Sequence, residues 1–294
     1  MPAKDYTYEE LRDTIRHMCD EYTFLKAETI GKSVSGRNIY CLKIGDAPEY
    51  VLFVGGFGGR ERITCTLLLE YARQLCDALK HDKTISHFNA RKAMYGRALM
   101  IVPQANPDSC EVAIKGATGC GYLAPKIKRL CSGDFSIWNS NLRGVNINHN
   151  FDIKFRQVRE LEKSRGIYGP CPEGFAGPFP VSEPETEALV KLCASHRIRH
   201  ALAFRTGGES IYWSFEDIRP DDSERMAELL SISAGYSMEV PTGLMGDIGF
   251  KDFILSQYNR PALTVYVGKG DPTILQFPKL YDRLLELLVL ATLM

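Results

Sequence analysis

Tyr50-Val51-Leu52-Phe53-Val54-Gly55-Gly56-Phe57-Gly58-Gly59-Arg60-Glu61 is the stretch that decides the fold. Five consecutive apolar residues without polar alternation describe a strand buried on both faces, ended by Gly55-Gly56. Ala98-Leu99-Met100-Ile101-Val102, ended by Pro103, repeats the pattern, and residues 201–204 and 262–267 give two more central strands. Between these runs lie helical periodicities: residues 64–79, a segment opened by Ser182-Glu183-Pro184-Glu185, and a last helix from about Thr273. Near the start, Thr7 followed by Glu10 is a capping box, with Leu11, Ile15, Met18 and Cys19 on the apolar face behind it. Residues 25–30 and 39–44 flank a Gly-containing turn and read as a hairpin.

Strands alternating with long helices predict one α/β domain over residues 1–294, with a mixed, mostly parallel sheet flanked by helices on both faces. Ligands in such sheets sit at the carboxyl ends of strands. The segments to inspect therefore follow Val54, Val102, Phe204 and the strand that begins at Ala262.

Composition narrows the partners. Lys plus Arg and Asp plus Glu both number 36, so no global charge steers the chain to nucleic acid or an anionic membrane. The basic cluster Lys126-Ile127-Lys128-Arg129 reads as a solvated face. No apolar run reaches the length of a membrane span. Residues 1–10 lack the basic-then-apolar pattern of a signal peptide, and the nine cysteines contain no C-x-x-C pair. The expectation is a cytoplasmic protein with reduced, mostly buried thiols.

The strand ends carry an ordered set of segments. After Gly58-Gly59-Arg60-Glu61 come Pro103-Gln104-Ala105-Asn106-Pro107-Asp108, Arg143-Gly144-Val145-Asn146-Ile147-Asn148-His149-Asn150, Phe175-Ala176-Gly177-Pro178 running into Ser182-Glu183-Pro184-Glu185, Phe204-Arg205-Thr206, and Thr264-Val265-Tyr266-Val267-Gly268. In this order the set resembles the carboxypeptidase A-like zinc peptidases, and most nearly the bacterial branch that cleaves γ-D-glutamyl-diamino acid bonds of cell-wall peptides. The resemblance runs over nearly the whole chain. It implies a zinc held by two His and one Glu, a metal-bound water, and a separate Glu as general base.

Carried onto this sequence, the pattern finds different residues. The His of the family's His-x-x-Glu loop is Gly58, its Glu is Glu61, and the third ligand, a His in a strand-end Phe-His-Thr, is Arg205. A guanidinium cannot ligate a cation. The general-base position is Tyr266, a phenol that accepts protons poorly at neutral pH. The Asn-Arg pair that grips a substrate carboxylate appears as Asn148-His149, the mobile capping Tyr falls at Leu244, and Arg60 is kept beside the ligand loop.

The expectation is a non-catalytic homologue, a pseudoenzyme with no cofactor. Arg205 is expected to pair with Glu61 in the metal's place. Two readings of the cleft follow: Arg205 and Tyr266 simply plug it and preserve stability, or Arg60, His149 and Arg205 line a positive pocket for a peptide with a free carboxylate or for a protein partner. The alternative is an active metallocarboxypeptidase with a rearranged zinc site, for instance one using Glu61, His149 and Cys110. His200 lies five residues before Arg205, about 16 Å away along a strand and on the opposite face, so it is no substitute ligand. A cysteine hydrolase is disfavoured because no Cys–His pair has useful spacing. Gly58→His, Arg205→His and Tyr266→Glu together are expected to restore the donor set.

Overall fold

The computed structural model describes residues 4–241 and 248–294. Thr7 opens α1 (Tyr8–Glu21) through the capping box read above: its hydroxyl accepts from the Glu10 amide, and the Glu10 carboxylate accepts from the Thr7 amide. β1 (Lys26–Lys32) and β2 (Asn38–Gly45) form the antiparallel hairpin, and β3 (Tyr50–Val54) follows. α2 (Arg62–His81) is the long helix behind the glycine loop. A small hairpin, β4 (Thr84–Ile85) with β5 (Phe88–Asn89), and α3 (Ala90–Met94) lead into β6 (Ala98–Val102). Then come α4 (Pro107–Lys115), α5 (Ala124–Leu130), α6 (Phe155–Ser164) and α7 (Pro184–Ser195). The chain ends with β7 (Ile198–Thr206), β8 (Ser210–Tyr212), α8 (Ser223–Ala234), β9 (Ser237–Glu239), α9 (Phe250–Tyr258), β10 (Ala262–Val267) and α10 (Phe277–Leu293).

Eight strands form one sheet in the order β1-β2-β6-β3-β7-β10-β8-β9. The centre, β6-β3-β7-β10, is parallel throughout, and β8 pairs parallel with β9. Antiparallel pairings join β1 to β2, β2 to β6 and β10 to β8. Successive residues of the central strands enter two different cores, as strand alternation requires. Phe53, Leu99, Ile101, Leu202, Phe204 and Val265 pack with α1, α2, α8 and α10, whereas Leu52, Val54, Met100, Ala201, Ala203 and Ala262 pack with α7 and α9. Fully burying a phenylalanine such as Phe53 or Phe204 contributes roughly 1.5–3 kcal/mol. The two sides are unequal, with small residues on β7 and β10 meeting α9.

Two details sharpen the sequence reading. Glu183 is the N-cap of α7, and it makes no capping hydrogen bond, because its carboxylate is turned inward to Asn141 and Ser182. The final α-helix starts after a 3-10 turn, Ile274–Gln276, which carries its own Thr273–Gln276 capping box. On α5, Ile127 is buried while Lys126, Lys128 and Arg129 face solvent, as a solvated face requires. All nine cysteines are unpaired, and seven of them are buried. No helix among the described residues is long and apolar enough to cross a membrane.

Candidate functional site

The carboxyl ends of β3, β7 and β10 converge on one buried centre. After β3 the chain turns at Gly55-Gly56, where Gly56 has φ +60° and a Cβ would lie 2.9 Å from the Gln104 Cα. Only glycine suits both demands. The Gly56 amide donates to the Thr64 hydroxyl, which donates in turn to the Glu61 carbonyl, fastening the loop to the first turn of α2. Glu61 is the N-cap of that helix and is 3% exposed. A carboxylate there profits from the partial positive charge of the helix N-terminus.

Arg205 lies one residue before the end of β7, opposite Tyr266 in the parallel register of β10. Its Nε and Nη2 donate to the same Glu61 oxygen, Oε1, at 2.9 and 2.8 Å. The expected ion pair is present, and both partners are buried. The guanidinium carbon lies 5.9 Å from the Tyr266 ring centroid, and the Tyr212 ring packs edge-on to Tyr266 at 5.5 Å. Glu61, Arg205 and Tyr266 are therefore brought together, with β8 supplying an aromatic neighbour that the sequence reading missed.

Gly58 closes the same centre from the loop side. Its φ of −149° and ψ of 167° are extended backbone open to any residue, so conformation does not require glycine here. Space does. A Cβ at Gly58 would lie 2.0 Å from the Asn139 Oδ1 and 2.7 Å from the Asn139 carbonyl oxygen. The Asn139 amide fills the room beside Gly58, accepts from the Arg60 amide at 3.1 Å and donates to Glu173 at 3.3 Å. This corrects the expectation that three substitutions restore a donor set, because a histidine at 58 collides with Asn139 before it reaches any metal.

Arg60 and Arg205 of the expected positive pocket are both engaged by carboxylates. Arg60 donates through Nε and Nη2 to Asp271 at 2.9 and 2.6 Å, and through Nη1 to Glu173 at 3.0 Å. Its guanidinium is held above its ordinary pKa, chiefly by the Asp271 hydrogen bond. The His149 Nδ1 lies 3.2 Å from the Gly174 carbonyl and 3.8 Å from Glu162, so the ring serves the 166–177 segment and α6. Arg60 and Arg205 thus each face a carboxylate, and the His149 ring lies beside Glu162. Asn148 accepts from the Phe250 amide at 3.1 Å, and its side chain fills the space beside Gly249; it ties the site to the start of α9. Leu244 lies outside the described residues.

Asn139, Glu173 and Asp271 carried no motif that spacing could reveal. The one signal was position: Asp271 follows Gly268-Lys269-Gly270 just past the carboxyl end of β10, where ligands of such sheets bind. His200 is buried with its Nε2 2.7 Å from the Ala291 carbonyl, and burial pushes its pKa down to about 4. Cys110 is buried against the Gly58 carbonyl, and burial raises its thiol to about 12, far from a reactive thiolate.

A family model described as zinc carboxypeptidase matches residues 11–265. γ-D-Glutamyl-L-diamino acid endopeptidase 1 of Lysinibacillus sphaericus is 30% identical over 286 residues, covering 96% of this chain and 71% of that protein. Among solved structures, carboxypeptidase A from Helicoverpa armigera superposes with a TM-score of 0.75 at 18% identity, over 99% of this chain and 73% of that one. The murein-tripeptide amidase MpaA from Escherichia coli O157 does so with a TM-score of 0.53 at 16% identity, over 89% and 91%. The structural likenesses establish the shared fold.

The family match overturns the expectation of no cofactor, since zinc is the metal that a zinc carboxypeptidase implies. Which residues would hold it is a separate matter. Glu61 Oε1 accepts two Arg205 N–H groups, Gly58 has no side-chain donor atom, and no group of three or more His, Cys, Asp or Glu suited to a metal exists among the described residues. A zinc held by two His and one Glu does not fit these three positions, and neither does the combination of Glu61, His149 and Cys110. The chemistry on view is an ion pair with an aromatic neighbour.

Proposed function

The chain belongs to the zinc carboxypeptidase family, and from that premise we propose that it receives a peptide bearing a free carboxylate without hydrolysing it. The observation that carries this reading is the double hydrogen bond from Arg205 to Glu61 Oε1. It engages the one carboxylate left at the family's ligand positions, and it puts a fixed cation where the resemblance implies a histidine. Tyr266 at the base position has a ring that packs on Arg205, and a phenol is a weak proton acceptor near neutrality. The peptide class follows from the relative whose name specifies γ-D-glutamyl-L-diamino acid bonds. The cation for the peptide carboxylate is Arg60, next to Glu61 in the chain and with a side chain about one-third exposed.

Incubation with γ-D-glutamyl-L-lysine, with and without added zinc, is expected to leave the dipeptide intact, read as free lysine by an amino-acid assay. Calorimetry on the same protein is expected to show binding. Chelator-sensitive release of lysine overturns the non-hydrolytic reading, and absence of any binding overturns the ligand.

A further inference from the structure

Arg60 already holds two carboxylates, and they hold it differently. Glu173 is anchored twice, by the Arg60 Nη1 and by the Asn139 amide, and its segment is braced where the Arg159 guanidinium lies 4.4 Å from the Phe175 ring centroid. Asp271 has no hydrogen-bond or ion-pair partner but Arg60 among the described residues. It sits in the turn between β10 and the Ile274–Gln276 3-10 turn, after two glycines with left-handed φ of 67° and 62°. Asp271 also meets the guanidinium imperfectly: the Nε–H and Nη2–H, the edge that matches both oxygens of a carboxylate, converge on Oδ2 alone.

We infer that Asp271 is a resident competitor for the ligand carboxylate, and that a ligand enters by exchange at Arg60. A carboxylate offering one oxygen to each N–H matches the guanidinium edge better than Asp271 does. The Asp271 and Glu173 side chains are 47% and 48% exposed, so releasing Asp271 returns a carboxylate to water at little cost. Glu173 stays as the fixed wall of the site. This inference rests on the proposed function and supplies its regulation: the affinity that is measured is the intrinsic affinity reduced by the fraction of Arg60 that Asp271 occupies.

Titration calorimetry with γ-D-glutamyl-L-lysine on the wild type, Asp271→Asn and Arg60→Gln tests it. An exposed ion pair worth up to ~1 kcal/mol corresponds to a change of about two- to five-fold. Asp271→Asn is expected to tighten binding by that factor, and Arg60→Gln to abolish it. Equal affinity of the wild type and Asp271→Asn overturns the competitor while leaving the proposed function standing. Weaker binding by Asp271→Asn makes Asp271 part of the ligand site and overturns the inference too. Full affinity in Arg60→Gln refutes exchange at that residue. If neither the wild type nor Asp271→Asn binds, the proposed function fails and the inference falls with it.

Discussion

Replacing Arg205 by methionine keeps much of the side chain's volume and removes its charge. In the folded protein Glu61 would then be a carboxylate whose side chain is 4% exposed, deprived of two hydrogen bonds at 2.8 and 2.9 Å. Removing one partner of a buried pair costs about 3–5 kcal/mol, because the other charge stays desolvated. The N-terminus of α2 still offsets up to ~1 kcal/mol of that, so a loss of about 3 kcal/mol is expected. With ~2.1 cal/mol/K of unfolding entropy per residue, a chain of 294 residues should melt about 5 °C lower, as read by circular dichroism at fixed pH. Glu61→Gln alone should cost a comparable amount by removing the negative charge that the buried guanidinium pairs with. The double variant should recover ~2 kcal/mol relative to the sum of the singles, since neither buried charge is left alone. Melting shifts below about 1 °C for Arg205→Met, or singles that add within ~0.5 kcal/mol, would refute the claim that the two residues compensate one another.

Gly58→Ala should destabilise by ~1–3 kcal/mol through steric conflict with Asn139, and Asn139→Gly should rescue only part of this, because the Asn139 carbonyl stays 2.7 Å from the new Cβ. Urea unfolding of the single and double variants checks it, and a neutral Gly58→Ala would show that the space is not filled. Glu185 gives a pH prediction. Burial pushes its carboxyl up to about 7 from an ordinary 4.5, although Asn141 donates to it, so the folded protein keeps a proton that the unfolded chain releases. Its contribution is present in full below about pH 4.5 and is lost as pH rises through about 7, an effect of order 3 kcal/mol. The drop in stability between pH 5 and pH 7.5 should shrink in Glu185→Gln; equal drops in the two proteins would exclude Glu185 as its source.

Much of the fold was legible because its signals are local. The runs Tyr50–Val54 and Ala98–Val102 are continuous and apolar since both faces of a central parallel strand are covered, and Ala262–Val267 is broken only by Thr264 and Tyr266. β8 and β9 escaped notice because three-residue strands show no periodicity to read, whereas the opening of α7 at Ser182-Glu183-Pro184-Glu185 was read from its early proline and acidic residues, with Glu183 as the N-cap. Of the site, Gly58, Glu61, Arg205 and Tyr266 could be placed by motif order, and the partnership of Arg205 with Glu61 followed from the need to compensate a buried charge.

By itself, then, the sequence determined the α/β architecture and the identity of the groups that meet at the ends of β3, β7 and β10. Where the remaining charges point was decided only by tertiary contact. His149 turned to Gly174 and Glu162, and Arg60 was claimed by Asp271, 211 residues away in the chain, and by Glu173. Asn139 moved into the room beside Gly58. The physical reason is that charge compensation and the filling of space act through distance in three dimensions. Residues far apart in sequence compete for the same guanidinium or the same few cubic ångströms, and no spacing along the chain records which of them wins.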